Sequence, residues 1–135
     1  ELLAIRARKM SKIMSTLEVS EKPVVLTDDS FEDFVKNAPM AIIDFWATWC
    51  RPCQMVAPIL EKLAKEEAGK VWIRKIDVDK NGATAQRYGA TSIPTFWAFK
   101  EGKPVGRFVG AHPEPAFRDV IKQLKELDMS TIEDN

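Results

Sequence analysis

Cys50 and Cys53 are the only cysteines in the chain, with two residues between them in Trp49-Cys50-Arg51-Pro52-Cys53. The thiolate is the nucleophile of thiol chemistry, so a working cysteine needs its anion stabilised. The motif falls where an apolar run gives way to a helical pattern. A helix N-terminus supplies unpaired backbone N–H groups and the positive end of the dipole. Pro52 is tolerated in the first helical turn, where its missing N–H costs little, and it stiffens the spacer. This spacing brings both sulfurs within reach of one disulfide across that turn, which makes reversible thiol–disulfide exchange the chemistry on offer. Three other readings compete: half of a zinc site completed by a second chain, a purely structural disulfide, and two inert core thiols. A single histidine leaves too few ligands for a four-ligand zinc site within one chain. A structural disulfide over so short a loop restricts the unfolded chain weakly. A strand-to-helix turn is a poor place to hide two inert thiols. Redox chemistry is the reading preferred.

The elements around the motif follow from periodicity. Val24, Val25 and Leu26 form a short strand signal, and Ser30, with Asp33 three residues on, marks a helix start through Phe31, Phe34 and Val35. Met40 to Ala47 is an almost unbroken apolar run, the pattern of a strand covered on both faces. A long helix is expected from Cys50 to Ala68, with Gly69 as its C-cap and Pro58 kinking it from inside. Val71 to Val78 reads as a strand and Ala83 to Tyr88 as a short helix ended by Gly89. Thr95 to Phe99 and Val105 to Val109 read as a hairpin through Glu101-Gly102. Pro113 and Pro115 precede a final helix striped by Phe117, Val120, Ile121, Leu124 and Leu127, and the tail from Asp128 is expected to fray. The order is βαβαβα, then a hairpin, then a helix: an α/β fold.

Composition sets the outer limits. At 135 residues the chain suits one domain, with roughly two thirds of its unfolded surface buried in an ordinary core. Hydrophobic residues make up 45% and charged residues 30%, a globular profile. Twenty basic residues balance twenty acidic ones, which removes the electrostatic case for a general nucleic-acid binder. No apolar stretch approaches the ~18 residues of a membrane span. Residues 1–20 read as an N-terminal extension and 21–135 as the main domain. Within 1–17, Arg6, Arg8, Lys9 and Lys12 face one acid, Glu1, while Leu2, Ile5, Met10, Ile13, Met14 and Leu17 recur at helical steps. An amphipathic helix is expected there, either docked on the domain, lying on a membrane surface like a transit segment, or holding a partner. A secretory signal is not, because the bases lie inside the segment and no apolar core follows them.

Taken together, Asp44-Phe45-Trp46-Ala47-Thr48-Trp49-Cys50-Arg51-Pro52-Cys53, then Ala57-Pro58-Ile59-Leu60, then Ile93-Pro94-Thr95, resemble the thioredoxin family over roughly Val24 to Leu127. The basic N-terminal segment resembles extensions on some archaeal members. The resemblance implies a central mixed five-stranded sheet flanked by four helices, with the N-terminal helix as an addition. It implies that Cys50 attacks a substrate disulfide and that Cys53, the more buried, resolves the mixed disulfide. Asp44, a lone carboxylate in a buried strand, takes the family's place of internal acid/base toward Cys53, with its pKa raised by desolvation. Lys75 in the neighbouring strand matches the partner of that acid. Pro94 is a cis-proline by the same resemblance, and Ile93 pairs its backbone with an extended substrate. Trp49, Ile93, Pro94, Gly110 and Ala111 form the docking face. Trp46 supports the site from within, and His112 is assigned no chemistry.

Arg51 departs from the usual Gly-Pro spacer of the family. A guanidinium beside Cys50 favours the thiolate and therefore the reduced form, making the reduction potential less negative by about 10–40 mV, where ~30 mV is worth about 1.4 kcal/mol. The implied function is a protein-disulfide reductase of the cytoplasm, monomeric, with no cofactor and no metal of its own, recharged by a thioredoxin reductase. Peroxiredoxins, ribonucleotide reductase and methionine sulfoxide reductase are the targets the family implies, with no nucleic acid and no membrane span. Two alternatives stay open: an oxidant or isomerase of the same fold, and a binding module that uses only the apolar face.

Overall fold

The computed structural model describes residues 24–132. Along them run β1 (Val24–Leu26), α1 (Asp28–Asn37), β2 (Met40–Trp46), α2 (Arg51–Glu66), β3 (Trp72–Asp77), α3 (Gly82–Arg87), β4 (Thr95–Lys100), β5 (Lys103–Val109), α4 (Glu114–Glu126) and a 3-10 turn at Met129–Thr131. The strands form one mixed sheet in the order β1-β3-β2-β4-β5. β3 pairs in parallel with β1 and β2, while β4 pairs antiparallel with β2 and β5. This is the five-stranded, four-helix thioredoxin fold expected from the sequence. The extension over 1–20 and its helix lie outside the described residues.

Because β2 is central, both of its faces are covered, and its pleat sends alternate side chains to opposite layers. Ile43 and Phe45 join Phe31, Phe34, Ile76 and Phe99 under α1 and α3. Ile42 joins Val56, Leu60, Leu63, Ile73, Phe96 and Phe117 under α2 and α4. Asp44 has the parity of Ile42 and so faces the α2 layer. Its neighbours across the sheet are Lys75 on β3 and Phe96 on β4.

Several element ends differ from expectation, each for a local reason. Helix α1 starts one turn earlier, capped by Thr27, whose hydroxyl accepts from the Ser30 N–H while the Ser30 hydroxyl accepts from the Thr27 N–H. Ser30 therefore closes a capping box from inside the helix rather than capping it. Helix α2 ends at the C-cap Glu67, and Gly69 takes its positive φ of 83° in the turn beyond. The same helix runs unbroken through Pro58, which is exposed, so water can reach the Gln54 carbonyl that loses its donor there. Pro115 sits inside the first turn of α4 instead of before it. The expected frayed tail includes an ordered 3-10 turn, because the Asp128 carboxylate accepts from the Ser130 amide and hydroxyl. The hairpin turn is as expected: Glu101 and Gly102 have φ of 53° and 81°, the left-handed pair that a tight two-residue connection requires.

Helix α4 is held by rings. Phe117 meets Phe96 edge-on at 5.0 Å and Phe108 at 5.4 Å, and only 1% of it is exposed. A Phe117→Ala variant should lose about 3–5 kcal/mol of stability, measured by denaturant unfolding, while Gln123→Ala on the solvent side should stay within about 0.5 kcal/mol.

Candidate active site

At the end of β2 the chain turns through Ala47, Thr48 and Trp49, and Cys50 becomes the N-cap of α2. The Cys50 N–H donates to the Ala47 carbonyl at 3.2 Å, which closes the turn. Cys50 Sγ accepts from the Cys53 N–H at 3.2 Å, so one of the helix's orphan donors already points at the sulfur. An anion on Sγ would meet that N–H and the helix dipole with no rearrangement. Cys50 and Cys53 are joined in a disulfide with their Cα atoms 5.3 Å apart. The two are equally buried, at 3% and 4% exposure, so the expected deeper burial of Cys53 is not seen in the oxidised form. They differ in what they face. Cys50 Sγ lies 3.8 Å from the Ile93 carbonyl, a contact that becomes a hydrogen bond when the sulfur carries a proton. Cys53 faces a cavity.

That cavity, of about 340 Å³, is lined by Asp44, Trp46, Lys75 and Val25 from the sheet and by Cys53, Gln54, Ala57, Leu60 and Glu61 from α2. Asp44 is buried and its Oδ1 has no hydrogen-bond partner. Burial pushes its pKa from the ordinary 3.8 up to about 7, against the pull of the Lys75 ammonium. Lys75 is half-buried, with its Nζ 4.2 Å from the centre of the Trp46 ring. Trp46 thus holds the cation beside the acid.

On the outer side, Ile93-Pro94 is a cis peptide bond, as the resemblance implies. The Pro94 carbonyl accepts from the Gly110 N–H at 2.9 Å, which joins the loop after β5 to the segment beside Cys50. Ile93 packs against the cluster of Ala47, Cys50 and Cys53. Ala111 is exposed beyond Gly110, and Arg51 and Pro52 are exposed on the first turn of α2. Trp49 is 68% exposed, yet its indole N–H donates to Asp79 Oδ2 at 2.7 Å.

Sequence reasoning missed Asp79, because thirty residues separate it from Trp49. It also missed Gln54 and Glu61 at the cavity. For Glu61 a signal existed: Cys53, Ala57, Leu60 and Glu61 fall at helical steps of four, seven and eight, one stripe of α2. Among the described residues, no group of three or more His, Cys, Asp and Glu side chains is gathered to hold a metal ion. Nor, among them, is any helix long and apolar enough to cross a membrane.

The buried acid has a thermodynamic consequence. Asp44 ionises near 3.8 in the unfolded chain but keeps its proton to about 7 in the fold. Between those values the fold binds more protons than the unfolded chain, so this group's contribution to stability falls as pH rises. An Asp44→Asn variant should be more stable than the parent at and above pH 7, by up to about 4 kcal/mol less the cost of burying the amide. The gain should shrink toward pH 4 and be absent below it. Denaturant unfolding across pH checks this.

The family model described as Thioredoxin matches residues 22–123. The chain is 45% identical over 100 residues to the thioredoxin of Staphylococcus saprophyticus, covering 74% of this chain and 95% of that one. It is 46% identical over 98 residues to a thioredoxin of Staphylococcus aureus, covering 73% and 93%. Among solved structures, a point mutant of the thioredoxin from Halobacterium salinarum superposes with a TM-score of 0.73 at 35% identity, over 80% of this chain and 95% of that one. A chain from a study of thiol resolution in yeast mitochondrial 1-Cys peroxiredoxin via glutathione/thioredoxin systems superposes with a TM-score of 0.68 at 32% identity, over 82% and 100%. With a Cys-x-x-Cys disulfide at the N-terminus of a helix and relatives of that identity over that span, the chain belongs to the thioredoxin family and is a dithiol–disulfide oxidoreductase, a protein-disulfide reductase.

Proposed function

We propose that Cys50 is the attacking thiolate and Cys53 the resolving thiol. The observation that carries this is the difference in surroundings: Cys50 Sγ borders the outer Ile93 carbonyl, while Cys53 faces the inner cavity with Asp44. In the reduced protein, the Cys50 thiolate attacks one sulfur of a substrate disulfide and expels the other as a thiolate. Cys53 gives its proton to the Asp44 carboxylate, and its own thiolate then attacks Cys50 Sγ. The mixed disulfide breaks, the second substrate thiolate leaves, and the Cys50–Cys53 disulfide closes. Two electrons pass to the substrate. Asp44, with a pKa of about 7, can accept and return a proton near neutrality. The cavity between it and Cys53 is roomy enough for relay water, at ~30 Å³ each. Lys75, steadied on Trp46, keeps the acid's pKa from rising further.

The docking face comprises Trp49, Ile93, Pro94, Gly110 and Ala111, where an extended substrate lies against the Ile93 backbone. Electrons come from a thioredoxin reductase. Substrates of the class include peroxiredoxins, ribonucleotide reductase and methionine sulfoxide reductase, and the setting is the cytoplasm. The archaeal-type reading rests on the basic segment over residues 1–17.

Two experiments test the assignment. A Cys53→Ser variant should accumulate a mixed disulfide with a protein substrate, seen as a shifted band that thiol reductant removes. Cys50→Ser should accumulate none and reduce nothing. A trapped adduct on Cys53 in the Cys50→Ser variant, formed at the same rate, would reverse the roles.

Arg51 is exposed, so solvent screens its effect on Cys50. An Arg51→Gly variant should shift the reduction potential to more negative values by about 10 mV at low salt, the low end of the expected range, and by less at high salt. Equilibration in a graded thiol/disulfide buffer, followed by tryptophan fluorescence, reads the shift.

A further inference from the structure

We propose that His112 is a positioning residue for the docking of protein disulfides: its imidazole clips the Val109–Ala111 turn in the shape an extended substrate meets. The inference rests on the docking-face reading above. Strand β5 ends at Val109, and Gly110 turns the chain with a φ of +102°. Its N–H then donates to the Pro94 carbonyl at 2.9 Å. Two residues on, His112 Nε2 lies 2.8 Å from the Val109 carbonyl. A carbonyl only accepts, so Nε2 carries the proton, as it does in one neutral tautomer and in the imidazolium. The imidazole also lies beneath the turn, since a Cβ added at Gly110 would sit 3.9 Å from Nε2.

The ring has its own anchor. It meets Phe108 edge-on at 5.5 Å, and Phe108 stacks on Phe96 at 4.9 Å. The turn is therefore tied at Gly110 to the cis-proline segment and at Val109, through His112, to the aromatic core. A peptide lying along Ile93 must pass Gly110 and Ala111. A turn already ordered costs that peptide less on docking than one it must order itself. A small disulfide with no peptide backbone makes no such contact. His112 thereby favours protein disulfides over small ones without touching either sulfur.

The test uses the full chain, pre-reduced, in single turnover against insulin and against bis(2-hydroxyethyl) disulfide. His112→Phe keeps a ring against Phe108 and removes the donor. His112→Gln places an amide N–H near the position of Nε2, and His112→Asn carries an amide too short to reach Val109. The expected result is a half-saturating insulin concentration raised about 2- to 10-fold in the Phe and Asn variants, the scale of one net hydrogen bond. Maximum rate, reduction potential and the rate with the small disulfide should be unchanged, and the Gln variant should recover most of the loss. Equal slowing with both disulfides, or no recovery in Gln, overturns the proposal, because His112 would then act only on general structure. The Asn variant decides the matter if the Phe variant does not fold. Ala111→Asp separates the two readings. If it raises the half-saturating insulin concentration while His112→Phe and His112→Asn do not, the docking face stands and the role of His112 falls. If none of the three moves it, the docking face itself is wrong.

Discussion

Side-chain alternation along β2 is the constraint on which the site depends. The strand is covered on both faces, so every odd–even choice commits a side chain to one layer. Ile43 and Phe45 anchor one layer, and that leaves Ile42, Asp44 and Trp46 to the other, beneath α2. A register slip of one residue would bury Asp44 among Phe31, Phe34 and Phe99, away from any sulfur. The same parity on β3 puts Lys75 beside Ile73 on the α2 side, so acid, cation and indole meet without any loop being involved. The role proposed for them inherits the rigidity of the sheet centre.

The outer half of the site is built from loops, and hydrogen bonds add to packing in holding it. Asp28, at the start of α1, accepts from the amide and hydroxyl of Thr84. Its own N–H donates to Asn81 Oδ1 at 2.8 Å, and Asn81 donates to the Asp77 carbonyl at 3.0 Å. Asp77 Oδ1 in turn accepts from the Asp79 N–H at 2.9 Å, and Asp79 holds the Trp49 indole. The exposed tryptophan beside Cys50 is thus oriented by a chain of bonds reaching back to the far helix layer. Buried polar groups such as Asn81 and Thr84 are satisfied within that chain, which removes the cost they would otherwise carry.

What could be read from the sequence follows the same division. The apolar run Met40 to Ala47, the Cys-x-x-Cys at its end and the left-handed Glu101-Gly102 turn are local patterns, and each maps to one conformation. The run makes burial of Asp44 a natural reading, whereas its proposed role comes from the family resemblance. Thr27 is masked in the sequence because the Ser30–Asp33 spacing imitates a cap, whereas the capping box runs backward from Ser30 to Thr27. The bonds that join Asp79 to Trp49 and Asn81 to Asp28 carry no local sign, since they span 30 and 53 residues. His112 has its partner only three residues away, but that contact depends on a carbonyl whose direction is set by the positive φ of Gly110. Periodicity reports burial, but it does not report where a hydrogen bond will find its partner.

The proton-accepting role proposed for Asp44 has two requirements that oppose each other. Burial must be deep enough to raise the carboxyl toward neutrality, yet a fully sealed acid could not exchange its proton on the time of turnover. The surroundings of Asp44 suit both sides of that proposed role, with an apolar wall and a polar rim. Ala57 and Leu60 supply the apolar wall of the cavity through which it faces Cys53, while Gln54, Glu61 and Lys75 line the polar side. Lys75 limits the shift that burial alone would produce, and the Trp46 ring keeps the ammonium near while leaving it half-buried. A neutral residue at 75 would remove the pull that opposes burial and raise the acid's pKa further, making it a poorer base for the proton transfer proposed from Cys53. A fully hydrogen-bonded carboxylate at 44 would hold its charge and have no proton to return. In the proposed role, the stability that the buried Asp44 costs is the consequence of placing an exchangeable proton beside the cavity that Cys53 faces.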